Sequence, residues 1–449
     1  MQNKKGAAKG GSGGARKSTG KLKDLMKSFS GNRKIAGDLI YTVGATVVMN
    51  GVLQFIVYPL ITRYFGNEVT GDILYFIGII YIIPQAVGTA INNGRLVMRK
   101  SCETTNGDYT RLLSLFCALS AILCGAIGFL DTSDIVLFSE NTVLSGDSVF
   151  SGDIVFSACF ALFSVIYALR MYAQVEFRLK LKFSGYFWYN ALVSAGYLAG
   201  LGLYFLTGQW LLIFVVGEAA ALIYSYFRGD IFKKEAKTGR QGRINKTIWM
   251  LMLSTFIRDG VTQFDKVVVR QTIDANAVTE YHVVSLIAKT MQMLVNPINT
   301  LILSYLTVKD SVLNRKTFNK FVLCGLGIGA VFYGLCVVGT PIYIKLFYAD
   351  MYDKIIQYNW FVNLGLVLGF VASLFMVVLL SQGKTAHYTV IQSVWGAVYI
   401  VASYILTIKF GLWGMVIATL VTNIAKLIAV LLVCYKTLFK GETSLINNE

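Results

Sequence analysis

Between residues 247 and 305 the chain carries ionisable and amide side chains at helical spacing inside segments that are otherwise apolar. Asp259, Gln263, Lys266 and Arg270 step by four, three and four, which puts them on one helical stripe, with Arg258, Thr262 and Asp265 on the adjoining one. His282, Ser285, Lys289, Gln292, Asn296 and Asn299 then recur at three and four, a polar seam along the next helix. Milder counterparts lie early in the chain: Thr42, Thr46, Asn50, Gln54 and Tyr58, and then Tyr81, Gln85, Thr89, Asn92, Arg95 and Arg99. Lys and Arg outnumber Asp and Glu in this set, so its chemistry is the holding of an anion. An opposite charge about 4 Å away is worth on the order of 4 kcal/mol at intermediate dielectric. A phosphate or a uronate fits such a lining, with Asn and Gln left for hydroxyl groups.

The elements that must position these residues are membrane-spanning helices. Of the 449 residues 55% are hydrophobic and 14% charged, with a mean hydropathy of +0.60. Apolar runs of roughly 20 residues recur from Gly37 to Tyr435, and lipid offers backbone amides no partner, so each run is a helix. The expected spans are 37–62, 72–94, 112–130, 149–169, 185–206, 209–227, 247–269, 280–305, 318–344, 355–381, 388–408 and 411–435. The fold class read here is an all-α polytopic membrane protein whose four polar stripes line one central cavity.

Charge placement orients the spans and removes nucleic acid as a partner. The formal charge is +17. With the N-terminus inside, 32 of the 41 Lys and Arg fall in cytoplasmic segments and five in external ones, as the positive-inside rule requires. Residues 1–36 read as a disordered basic tail suited to anionic membrane lipid, with no cleaved signal. The longest external loop holds Asp131, Asp134, Glu140 and Asp147 without a basic residue. The chain then divides into a six-span half over 37–228, a cytoplasmic linker over 229–246, a second half over 247–436 and a tail over 437–449. Asn67-Glu68-Val69-Thr70 and Asn276-Ala277-Val278-Thr279, in equivalent turns of the halves, suggest a repeat about an axis along the membrane normal.

Plainer readings stand beside these. Asp265 with Lys266, and Arg258 with Asp259, can neutralise one another to hold helices together. Arg95, Arg99, Arg170 and Arg178 sit at span ends, where snorkelling to headgroups is ordinary. Glu218 and Lys426 stand alone in their spans, and His282 reads equally as an interfacial residue. Gly196 with Gly200, Gly325 with Gly329, and Gly365 with Gly369 allow close helix approach. The seven cysteines form no C-x-x-C pair and read as free thiols. Val378 stands where a phosphate-binding loop ending in Gly383-Lys384-Thr385 needs its first glycine, and no hydrolase or metal motif occurs. No catalytic residue, metal or cofactor is expected.

The stretch Gly37-Asp38-Leu39-Ile40 through Tyr58-Pro59-Leu60-Ile61-Thr62-Arg63-Tyr64-Phe65-Gly66 and Gly71-Asp72-Ile73-Leu74-Tyr75, with the Asp265-Lys266 pair and Tyr281, resembles bacterial polysaccharide flippases. These belong to the multidrug/oligosaccharidyl-lipid/polysaccharide exporter superfamily. The resemblance implies two six-helix lobes forming a V around a cationic cavity lined by spans one, two, seven and eight. It implies alternating-access flipping of undecaprenyl-diphosphate-linked oligosaccharide for capsule, O-antigen or exopolysaccharide assembly. The membrane would be a bacterial cytoplasmic (plasma) membrane, with both termini cytoplasmic, and other polysaccharide-assembly proteins would be further partners. The substrate-binding set is then Arg258, Asp259, Gln263, Asp265, Lys266, Arg270, Lys289, Gln292, Asn296, Asn50, Gln54, Gln85, Asn92 and Arg95. A multidrug or small-solute antiporter of the same superfamily, or a membrane oligosaccharide polymerase, remains the alternative.

Overall fold

Hydrophobic runs of this length and the absence of water as a backbone partner leave helices as the only local solution. The computed structural model describes residues 33–99, 104–132, 154–239, 241–308, 315–382 and 384–438; the basic tail before residue 33, the loop from Asp134 to Asp147 and the segment after 438 lie outside it. The side chains of 293–308, and so Asn296 and Asn299, are likewise outside the described residues. Among the described residues there is no strand.

In chain order the helices are α1 (Arg33–Val52), α2 (Tyr58–Arg99), α3 (Gly107–Thr132), α4 (Ile154–Ala173), the short α5 (Val175–Leu179), α6 (Phe183–Thr207), α7 (Leu211–Arg228), α8 (Gln241–Thr272), α9 (Ala275–Val308), α10 (Arg315–Phe347), the short α11 (Tyr352–Ile355), α12 (Asn359–Ser381), α13 (Thr385–Phe410) and α14 (Leu412–Leu438). The expected spans fall on these helices, except that 37–62 runs from α1 across the π-helical turn into α2, 355–381 begins in α11, and 149–153 lie outside the described residues. The first two join through a π-helical turn, Leu53–Val57, and α2 breaks at Gly66, whose φ of 91° belongs to glycine. Nine helical stretches among the described residues are long and apolar enough to cross a membrane, and the first, Ile40–Leu96, contains that break. The protein is a multi-pass membrane protein. Helix α8 is not among the nine, because Arg258, Asp259, Asp265, Lys266 and Arg270 interrupt its apolar face.

In the first half α1 packs on α6, α6 on α7, and α4 between α2, α3 and α7; in the second, α12 packs on α9, α10 and α14, and α13 on α14. Helices α2, α8 and α9 join the halves. The small-residue motifs do what their spacing implies. A Cβ on Gly196 would lie 2.3 Å from Gly217 Cα, and one on Gly365 would lie 2.9 Å from Leu420 Cα.

Residues 229–239, within the expected linker, are strapped to the first half. Asn106 Nδ2 donates to Asp230 O at 2.9 Å, Thr105 Oγ1 to Ala236 O at 2.6 Å, and the Thr238 amide to Asp108 Oδ1 at 2.8 Å. Lys180 bridges Glu176 at 2.5 Å and Asp230 at 2.6 Å. Ile231 is buried with Tyr109, Leu113 and Phe116, and Ile244 and Ile248 of α8 enter the same cluster. Burying an isoleucine of this kind contributes about 1.5–3 kcal/mol at a watery end of the bundle. The start of α8 is therefore tied to the first half.

The strap is pH-sensitive at its acidic end. Hydrogen bonds from Lys180 and then Lys233 hold the Asp230 carboxyl down at about 2, and Asp230 with Glu176 raises the Lys180 ammonium. A depressed carboxyl adds stability that is present above its unfolded value, about 4, and lost as pH falls through 2. The raised lysine adds stability present below about 10.4 and lost above it. Pepsin cutting of 229–239 is expected to accelerate as pH falls from 4 to 2. Trypsin cutting after Lys233 and Lys234 at neutral pH is expected to be several-fold faster in Asp230→Asn, with the rest of the chain equally resistant.

Candidate functional site

At the end of the bundle that carries the Gly66 break and the link between α8 and α9 at 273–274, here called the hairpin end, the two halves touch backbone to backbone. A Cβ on Gly71 would lie 1.8 Å from Ala275 O. No side chain fits there, which is why position 71 is glycine. Thr279 Oγ1 donates to Asn67 O at 2.7 Å, so the two N-x-V-T segments, expected in loops but found in the first helical turns after the Gly66 break and the α8–α9 link, meet each other. Arg270 Nε donates to Asp72 Oδ1 at 2.6 Å and Gln271 Nε2 to Tyr75 Oη at 3.2 Å.

One turn deeper, Pro59 shapes the contact. In a π-helical register the carbonyl of Gln54 would accept from the amide of residue 59, and proline has none. Tyr343 of α10 donates its hydroxyl to that orphaned Gln54 carbonyl at 2.9 Å. The Gln54 side chain meets His282 Nε2 at 2.9 Å, and the imidazole stands edge-on to Tyr58 at 5.7 Å.

Below this closure lies the charged centre. Asp265 is 3% exposed in its side chain and pairs with Lys289 of α9. Lys266 is buried, and its ammonium lies 5.7 Å from the centre of the Tyr81 ring. Among the described residues it has no carboxylate within ion-pair distance, 4.0 Å. Lys289 in turn lies 5.3 Å from the Tyr281 ring. One carboxylate thus serves two ammonium groups, Lys266 buried and Lys289 partly exposed, and the aromatic faces supply the weak remainder, about 0.5–2 kcal/mol each. The cluster carries a net positive charge between α2, α8 and α9. Toward the opposite end, Arg258 pairs with Asp259 at 2.9 Å, the arginine half exposed and the carboxylate buried with Oδ2 unpartnered.

The structure brings Asp265, Lys266 and Lys289 together, with Gln54 and Arg270 at the closure. Gln263 is half-buried and Gln292 exposed, and Asn296 lies outside the described side chains. Asn50 bonds its own helix, donating to Thr46 O at 2.9 Å. Three expected lining residues face the first half instead. Gln85 accepts from Tyr167 at 3.1 Å, and Asn92 donates to Met171 O at 2.6 Å. Arg95 donates to Asn106 Oδ1 at 2.7 Å between the rings of Tyr109 and Tyr172. Each of the three thus makes a side-chain hydrogen bond to α4 or to Asn106 in the first half.

Arg170 also departs from expectation. It does not snorkel: it is 1% exposed, paired through two nitrogens with Glu218 of α7, which also accepts from Tyr197 of α6. Two lone charges of opposite sign in spans of one half were the available signal, since an unpaired ion is too costly in lipid.

Comparisons with known proteins agree with this arrangement at the level of fold. No protein-family model matches the chain, and no curated protein does. Among solved structures the chain is similar to the lipid II flippase MurJ in an inward closed conformation, with TM-score 0.64, 16% identity, 88% of this chain and 87% of that one covered. It is similar to a multidrug resistance MATE family transporter of the MOP superfamily in an inward-facing conformation: TM-score 0.55, 14% identity, coverage 90% and 96%. A MOP superfamily transporter from Pyrococcus furiosus, described by the reverse polarity of its binding pocket, aligns with TM-score 0.57, 11% identity and coverage of 88% and 95%. The chain has the fold of these superfamily transporters.

The Gly71 contact sets a test of the closure. Gly71→Ala is expected to shift the hairpin end toward an open state by tenfold or more, about 1.4 kcal/mol. Pulsed electron resonance between spin labels at positions 68 and 274 should show the longer distance gaining at the expense of the shorter.

Proposed function

We propose that the protein moves an anionic, lipid-linked oligosaccharide across a bilayer by alternating access, with the Asp265–Lys266–Lys289 cluster as its anion site. The observation that carries this reading is the shared carboxylate: the buried Lys266 and the partly exposed Lys289 against one Asp leave a positive charge that a diphosphate would neutralise. A buried unpaired charge is costly, and sites within membranes that keep one are sites of transport. Arg258, half exposed on the other side of the cluster, would be the first cation met by a ligand entering from the linker end.

The likeness in fold to a lipid II flippase supports a lipid-linked cargo, and the likeness to multidrug transporters supports alternating access. The described neighbours are transporters rather than enzymes, in keeping with a chain that carries no hydrolytic motif. On the charge bias of its loops, the linker end and both termini face the cytoplasm, and the hairpin end faces outward. The structure then corresponds to a state closed to the outside. The membrane is taken to be a bacterial plasma membrane, and the polysaccharide served is a capsule, O-antigen or exopolysaccharide.

Proteoliposomes containing the wild type are expected to translocate a fluorescent diphosphate-linked oligosaccharide. Lys266→Ala and Lys289→Ala should each reduce the rate tenfold or more at unchanged membrane abundance, because each leaves the cluster without net positive charge. Arg170→Ala should instead lower abundance, since it strands Glu218 in the first half. If the wild type moves no lipid while an ion gradient drives uptake of a small cation, the small-solute antiporter replaces this reading.

A further inference from the structure

Beneath the hairpin-end closure one titratable group is buried between the halves without the partners its charged form would need. His282 is 6% exposed. Its Nε2 lies 2.9 Å from Gln54 Oε1 across the interface, and its Nδ1 is buried with no partner. With Nε2 facing an amide oxygen, the ring hydrogen sits on Nε2 and a lone pair is left on Nδ1. The ring is therefore satisfied as a neutral imidazole, one hydrogen bond from α9 to the π-helical turn.

The groups around the ring are cationic or already committed to other partners. From α8 come Lys266 and, already paired with Lys289, Asp265; from α9 comes Lys289 itself. From α2 comes the Tyr58 ring edge, and from α10 Tyr343, whose hydroxyl is committed to the Gln54 carbonyl. None of these offers an acceptor to Nδ1. A second proton on the ring would create an unpaired cationic donor beside two ammonium groups, and such a donor costs several kilocalories in a dry site.

We propose that His282 is a proton-binding site that couples external protons to the opening of the hairpin end. The closed state holds the imidazole neutral. Parting of α2 from α9 breaks the Gln54 bond, wets Nδ1 and allows protonation. The open state therefore binds more protons than the closed one, so acid on that side favours opening. By linkage the open-to-closed ratio rises by at most about tenfold for each pH unit that falls below the ring's pKa in the open state. In the outward-open state the protonated ring adds a positive charge next to Lys266 and Lys289. Closure requires that this proton leave.

This inference rests on the alternating-access part of the proposed function and not on the identity of the cargo. Its test needs no substrate, so its failure is distinguishable from failure of the flippase reading. Hydrogen exchange by mass spectrometry, corrected for intrinsic rates, would be followed at pH 8 and pH 5 on the purified full chain in nanodiscs. The peptides to compare are 62–75 and 270–282, with 185–206 as a control outside the interface. Wild type is expected to exchange several-fold faster in the first two peptides at pH 5 than at pH 8, with the control unchanged. His282→Gln, which retains a hydrogen bond to Gln54 but cannot titrate, should show no such dependence. Equal exchange at both pH values in the wild type overturns the proposal, as does an undiminished pH dependence in His282→Gln.

Discussion

The bilayer interior gives a polar group no partner, and each unusual feature of this chain answers that constraint. Two prolines inside helices show it in the backbone. Pro59 orphans the carbonyl of Gln54, which Tyr343 satisfies from the other half. Pro341 removes the amide that would reach the carbonyl of Val337, and Asn359 of α12 donates to it at 3.1 Å. The same rule governs charge. Arg170 and Glu218 are affordable only as a pair, with Tyr197 closing the remaining valence. Among the described residues, the cluster around Asp265 sets two ammonium groups against one carboxylate.

A multi-pass helical membrane protein was legible in the sequence because a bilayer imposes a fixed length and composition on each span, and nine stretches of the described residues meet both. The stripes on α8 and α9 were legible for the related reason that charged residues at three and four spacing stand out against Leu and Val. Which way a stripe faces was not. Gln85, Asn92 and Arg95 keep the same spacing as a cavity lining, yet they bond α4 and Asn106. Periodicity fixes neighbours along one helix and is silent about rotation against another. Pairings across long separations, such as Asp72 with Arg270 or Gln54 with His282, lie beyond it for the same reason.

The two N-x-V-T segments read from the sequence lie against each other in the fold. Asn67 to Thr70 and Asn276 to Thr279 meet, with Gly71 against Ala275. Closure is thus made where the halves present equivalent turns to each other. The polar seams lie directly beneath, so the position of the closure fixes which side of the charged cluster is sealed.

The strap over residues 229–239 bears on how the protein is made. All the groups that hold it, from Thr105 and Asp108 to Lys180 and Glu176, are synthesised before α8. It can dock while the ribosome is still extending the chain. Helix α8 is the span least able to enter lipid unaided, since five charged residues interrupt its apolar face. A strap already seated on the first half delivers Ile244 and Ile248 to a finished surface beside α2, so this polar helix partitions against protein instead of hydrocarbon. The same contacts that look like a tether in the folded molecule would then serve as an insertion guide during its birth.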